Sequence, residues 1–88
     1  MSALTVAKWM LDRVTTGMEL AQDDAAYSIQ TQFGNEFVYY NENGNLAISR
    51  EVLAAFRKLS AKKVVWERGQ RIWRLRQPYD GPGRQQDW

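Results

Sequence analysis

Residues 64–76 read VVWERGQRIWRLR, two tryptophans and four arginines around a single glycine. The alternation on each side of Arg68-Gly69 predicts two short strands joined by a turn. With the reversal at that dipeptide, Val65 pairs with Ile72, Val64 with Trp73 and Trp66 with Arg71. Val64, Trp66, Trp73 and Leu75 then share one face, the core side, because side chains alternate along a strand. Lys63, Val65, Ile72, Arg74 and Arg76 share the opposite face, which is basic without being wholly polar. A slip of one residue would exchange the two faces.

Upstream of the hairpin the pattern changes to a helical period. Ser49 is placed to cap a helix over residues 50–61, REVLAAFRKLSA. Val52, Leu53, Ala55, Phe56 and Leu59 fall on one side of it, and Arg50, Ala54, Arg57, Lys58 and Ala61 on the other. Before that, FVYYNENGNLAI carries β-forming residues on each side of Asn43-Gly44, a dipeptide that favours positive φ, and reads as a second hairpin. Asp23 is placed to cap a helix that buries Ala26, Ile29 and Phe33 and ends at Gly34, with Leu20 packing back on its first turns. The stretch MEL just before it is a candidate short strand. At the start of the chain, Ser2 caps a helix whose apolar residues Leu4, Ala7, Leu11 and Val14 recur at helical spacing, widened by Val6, Trp9 and Met10, up to Gly17.

This order predicts an α+β, winged-helix-like domain over residues 1–76, followed by an extended tail over residues 77–88. It has three helices, a C-terminal β-hairpin wing and an extra hairpin between the second and third helices. That extra hairpin stands where a tight turn normally joins those helices. Either it adds a strand to the wing sheet or it marks a different α+β fold. Tyr79 and Trp88 are the aromatic residues of the tail.

The segments FVYYNENGNLAISREVLAAFRKL and VVWERGQRIWRLRQPYDGPGRQQ, with AKWMLD before them, resemble a family of small bacterial domains of unknown function. The resemblance spans nearly the whole chain and is carried chiefly by NENGNLAI, VWERG and PGRQQ. It implies a bacterial stand-alone domain and supports the segment boundaries. It carries no catalytic or binding residues with it.

Composition narrows the function classes. The 88 residues contain no cysteine and no histidine, so disulfides, thiol nucleophiles and metal sites of the Cys/His type are excluded. Ser2, Ser28, Ser49 and Ser60 lack a nucleophile-elbow context. Asp23 and Asp24 are adjacent, so on a helix they do not face one another, and acids in a first turn are explained by the helix dipole. The order of Asn41, Asn43 and Gly44 imitates part of a calcium loop, yet its first and twelfth positions would be Tyr39 and Arg50, which cannot hold a hard cation. No catalytic residue, cofactor or metal is expected, and the chain is not read as an enzyme. There is no apolar run near the roughly 20 residues that cross a bilayer and no signal-like leader, so a cytoplasmic protein without a membrane partner is expected.

What remains is charge. Residues 1–48 carry two basic against six acidic side chains, and residues 49–76 carry nine basic against two acidic. The pI of 9.2 exaggerates a net charge of +2, because without histidine little titrates near neutrality. The nine basic residues, Arg50, Arg57, Lys58, Lys62, Lys63, Arg68, Arg71, Arg74 and Arg76, form a candidate nucleic-acid footprint, with double-stranded DNA as the partner. Arg50 and Arg57 lie two turns apart with the small Ala54 between them. Lys58, Lys62 and Lys63 would clamp one backbone and the wing arginines the other. Three further readings stand beside this one, among them a small enzyme or ligand binder with a deep pocket lined by Trp66, Trp73 and convergent polar groups. Exposed Arg and Lys are ordinary solubilising residues, and charged edges discourage strand-to-strand aggregation. Alternatively, the separated charges and the aromatics Tyr39, Tyr40, Tyr79 and Trp88 suit self-association or another protein partner.

Overall fold

The computed structural model describes residues 2–17, 19–61 and 63–77; Lys62 and the tail aromatics Tyr79 and Trp88 lie outside them. Helix α1 (Ala3–Gly17) leads into strand β1 (Glu19–Ala21) and helix α2 (Gln22–Phe33). A single 3-10 turn (Asn35–Phe37) and the strands β2 (Val38–Tyr40) and β3 (Leu46–Ile48) follow. Helix α3 (Arg50–Ser60) and the hairpin of β4 (Val64–Glu67) and β5 (Ile72–Leu75) complete the order. The strands make two antiparallel sheets, one ordered β1-β5-β4 and one formed by β2 and β3.

The mixed α+β class and the winged-helix-like layout are those expected. β1 leaves the first helix, pairs with the last strand of the wing and hands the chain directly to α2. The extra hairpin does not extend the wing sheet. It stands as its own two-stranded sheet, and α2 packs on β3 while α3 packs most extensively on α1. The inserted hairpin thus takes part of the surface on α2 that a helix-turn-helix pair would give to its second helix.

Local chemistry explains the boundaries. The Ser2 hydroxyl accepts from the Thr5 N–H at 3.2 Å at the start of α1, and Ser49 Oγ accepts from the Val52 N–H at 3.4 Å at the start of α3. Asp23 is not the cap of α2. The helix begins earlier, at Gln22, with Ala21 in the cap position and no side-chain cap, because the Gln22 N–H donates to the Arg71 carbonyl of the wing loop at 3.0 Å. Asp23 and Asp24 sit instead in the first turn, where the positive end of the helix dipole favours them. Gly34 ends α2 at φ 89°, ψ −177°, a conformation open essentially to glycine alone, while its N–H donates to the Gln30 carbonyl.

The middle hairpin turns over five residues, not at a two-residue Asn43-Gly44 reversal. Tyr40 pairs with Leu46, and positive φ falls on Gly44. Asn41 organises the loop, its Oδ1 accepting from the backbone N–H groups of Asn43 and Asn45 at 2.9 and 3.0 Å. That side chain, which imitates a calcium ligand in the sequence, is committed to its own loop.

The wing keeps its faces and changes its register. Val64 pairs with Leu75, Val65 with Arg74, Trp66 with Trp73 and Glu67 with Ile72. This is two residues from the expected pairing, and an even shift leaves every side chain on its original face. The turn spans Arg68–Arg71; Arg71 takes the left-handed conformation at φ 55°, and its N–H donates to the Glu67 carbonyl at 2.7 Å. The physical reason lies across the strands. The expected pairing sets Trp66 opposite Arg71, whereas the observed one sets Trp66 opposite Trp73 and leaves Arg74 diagonal to Glu67; Lys63 faces an arginine in either register.

The core lies between α1, α2, α3 and the inner face of the wing sheet. Val6, Met10, Val14, Ile29, Ile48, Val52, Phe56, Val64 and Trp73 are buried there. Trp73 meets Phe56 edge-on at 5.4 Å between ring centroids and Trp66 at 5.0 Å; Trp9 meets Phe33 edge-on at 5.9 Å. Leu20 packs into this core from β1. Leu4, expected on the apolar face of α1, is 47% exposed. The buried stripe is centred on Val6, Met10 and Val14, and Leu4 lies about 120° around the helix from its centre. No helix among the described residues is long and apolar enough to cross a membrane.

Candidate nucleic-acid interface

Helix α3 presents its outer face to solvent. Val52, Phe56 and Ser60 are buried, and Leu53, Ala55 and Leu59 are half-buried at the flanks. Arg50, Ala54, Arg57, Lys58 and Ala61 are exposed, as the helical period requires. Arg50 and Arg57 flank a shallow cavity of about 260 Å³ lined also by Leu53 and Ala54. Leu53 and Ala54 give this cavity its low, apolar part. Arg57 and Lys58 also lie in the last turn, where cations complement the helix dipole.

After α3 the chain turns sharply. Ala61 adopts φ 36°, its N–H donates to the Arg57 carbonyl at 2.9 Å, and the Lys63 N–H donates to the Ser60 carbonyl at 2.6 Å. Lys63 is exposed at the foot of the wing. Lys62 lies outside the described residues.

The wing arginines do not form one class. Arg68 is exposed in the turn. Arg71 is exposed too, but its Nη2 donates to Gln22 Oε1 at 2.9 Å, which ties the wing loop to the start of α2. Arg74 is drawn along the strand: Nε donates to Glu67 Oε2 at 3.1 Å, and its side chain is only 16% exposed. Arg76 is half-buried, and its backbone N–H donates to the Lys63 carbonyl across the hairpin at 2.8 Å. Val65, directly across from Arg74, is buried on this outer face. Arg50, Arg57, Lys58, Lys63, Arg68 and Arg71 are therefore the exposed members, Arg71 tying the wing loop to α2, and Arg74 is drawn to Glu67. The Glu67–Arg74 pair was legible only with the correct register, through the diagonal neighbour rule.

A second surface escaped sequence reasoning. Asp23, Tyr27, Asn45, Leu46 and Arg71 line a cavity of about 260 Å³ where α2, the middle hairpin and the wing loop meet. Tyr27 and Tyr40 are each 66% exposed, and Tyr39 is exposed as well. Tyr27 follows Asp23 by four residues and so shares its helix face, but Asn45 and Leu46 reach it only through the packing of α2 on β3, and Arg71 only through its contact with Gln22.

Comparison with known proteins returns no matching curated protein and no matching solved structure. A family model matches residues 2–75, from the cap of α1 to the end of β5. The chain belongs to that family, the family of unknown function DUF6953.

Proposed function

We propose that the domain is a small DNA-binding or regulatory module of a bacterial cytoplasm, with α3 as its groove-facing element and no catalytic step. The observation that supports this reading is the outward pair Arg50 and Arg57, two turns apart on α3 with Ala54 between them. A major groove about 12 Å wide admits a helix, and small residues between two arginines let its axis approach closely. Arg50 and Arg57 then reach base edges or phosphates, and Lys58, Lys63 and Arg68 neutralise the flanking backbone. The exposure of Arg50, Arg57, Lys58, Lys63 and Arg68 supports this reading.

The test is fluorescence anisotropy of a labelled random duplex titrated with the protein across a salt series. The reading expects binding whose log affinity falls linearly with log salt, by about 0.9 per phosphate neutralised. Absence of binding at low salt would refute it. The exposed tyrosines Tyr27, Tyr39 and Tyr40 favour a second reading, a protein-interaction or self-association module without nucleic acid. Salt-sensitive self-association in the absence of any DNA binding would select that alternative.

A further inference from the structure

Between α1 and α3 lies an apolar groove of about 580 Å³, lined by Ala3 and Leu4 from one helix and by Ala54, Ala55 and Leu59 from the other. Leu4 is 47% exposed at its border, the side chain that the core of α1 leaves out. The α3 side of the groove also carries Glu51 and Lys58, one at each end. Glu51, Ala54, Ala55 and Lys58 follow the i, i+3, i+4, i+7 pattern of a helix-packing stripe. This stripe is rotated by roughly 90° from the Arg50 and Arg57 row, since successive residues turn by about 100°.

The charges on this stripe are self-complementary. If a second α3 lies antiparallel about a two-fold axis between Ala54 and Ala55, Lys58 of the second copy meets Glu51 of the first. The same symmetry returns the second pair. A two-fold contact requires that a residue and its counterpart be exchanged in this way, and here the opposite charges are equidistant from the centre. The two alanines leave room for the helices to approach, and Leu4 of each copy is positioned to cover the apolar border.

From this geometry we infer that the α1–α3 groove is the homodimer contact of this chain, with a second copy seated antiparallel on α3 and two Glu51–Lys58 pairs setting its register. The contact is small. A stable interface uses about 20 to 30 residues per side, and this groove supplies far fewer, so the dimer is weak and concentration-dependent.

The experiment is sedimentation equilibrium of the full chain from about 10 µM to about 1 mM, repeated on charge-reversal variants. Wild-type mass rises from the 10.2 kDa of the monomer toward twice that value. Glu51→Lys and Lys58→Glu each convert two attractive pairs into two repulsive ones and weaken the dimer on the order of tenfold. The double variant Glu51→Lys/Lys58→Glu restores opposite charges across the axis and returns to near wild-type association. Ala54→Gln, which adds bulk at the axis without charge, also weakens the dimer. Glu51, Ala54 and Lys58 are exposed, so circular dichroism spectra of all variants should match the wild type, with melting midpoints slightly lowered in the charge reversals, which oppose the helix dipole. A monomer throughout the range, single reversals without effect, or a double variant as weak as the singles would each overturn the inference. Glu51 is not part of the DNA reading, so Glu51→Lys separates the two: a failed dimer with duplex binding retained by the wild type leaves the DNA reading standing on its own test.

Discussion

Replacing Trp73 with alanine should cost about twice as much stability as replacing Trp66, although both lie on the inner face of the wing. Trp73 is 2% exposed in the central strand of its sheet, with Leu20 opposite on one side and Trp66 on the other. Its ring also stands edge-on to Phe56 of α3, so it joins the sheet to the helix carrying the candidate interface. Truncating a buried Trp costs about 3 to 5 kcal/mol, and each aromatic pair adds roughly 0.5 to 1.5 kcal/mol beyond area burial. Two such pairs place Trp73→Ala near the upper end, about 4 to 5 kcal/mol. Trp66 is half-buried on the edge strand β4 and keeps the Trp73 ring contact alone among those described here, which points to about 2 kcal/mol. At roughly 0.05 to 0.15 kcal/mol per residue, a chain of this length has a stability of about 4 to 13 kcal/mol. At the lower end of that range Trp73→Ala reaches the threshold of unfolding, whereas Trp66→Ala remains folded throughout it. Urea denaturation followed by far-UV circular dichroism measures both, with unchanged slope as the check that only stability has moved. If Trp66→Ala costs as much as Trp73→Ala, the central position of Trp73 is wrong, and with it the observed strand order.

Other substitutions test the backbone directly. Gly34→Ala meets no atom within 4 Å of the new Cβ, so its cost is conformational alone: about 1 to 3 kcal/mol in a thermal or urea melt. Ala61→Gly relieves a positive φ of 36° and should stabilise the chain by about 1 kcal/mol; a loss of stability would contradict the turn geometry after α3. Ser49→Ala removes the cap on Val52 and should lower stability by about 1 kcal/mol, with Ser49→Asp recovering most of it.

How much of this was legible in the sequence depends on whether local chemistry or tertiary partners decide each feature. Ser49 capping α3, the Gly34 stop and the split of α3 into buried and exposed faces follow from side-chain type and period alone. The wing faces were legible for the same reason, because alternation survives an even shift in register. The register itself was not. Gly69 invites a tight two-residue turn, yet the positive φ falls on Arg71, held there by the Gln22 side chain and by the backbone of α2, both distant in sequence. That same contact supplies the Gln22 N–H with its acceptor and removes the need for an Asp23 cap. Leu4 was misplaced because apolar period does not say which flank of a helix its neighbours cover. For the candidate interface, the outward set Arg50, Arg57, Lys58, Lys63 and Arg68 could be read from faces, whereas the commitment of Arg74 to Glu67 required the register.

The most direct test of a DNA-binding α3 is the salt dependence of duplex binding by the wild type and by Arg50→Ala/Arg57→Ala, measured by fluorescence anisotropy on the same labelled DNA. If each arginine neutralises one phosphate, the slope of log affinity against log salt becomes shallower by about 1.8 in the double variant. Affinity falls with it, while the melt is unchanged because both side chains are exposed. If the arginines contact bases instead, affinity falls and its dependence on DNA sequence relaxes, with a smaller change in slope. A wild-type protein that does not bind at low salt, or a double variant with wild-type affinity and slope, would contradict the account.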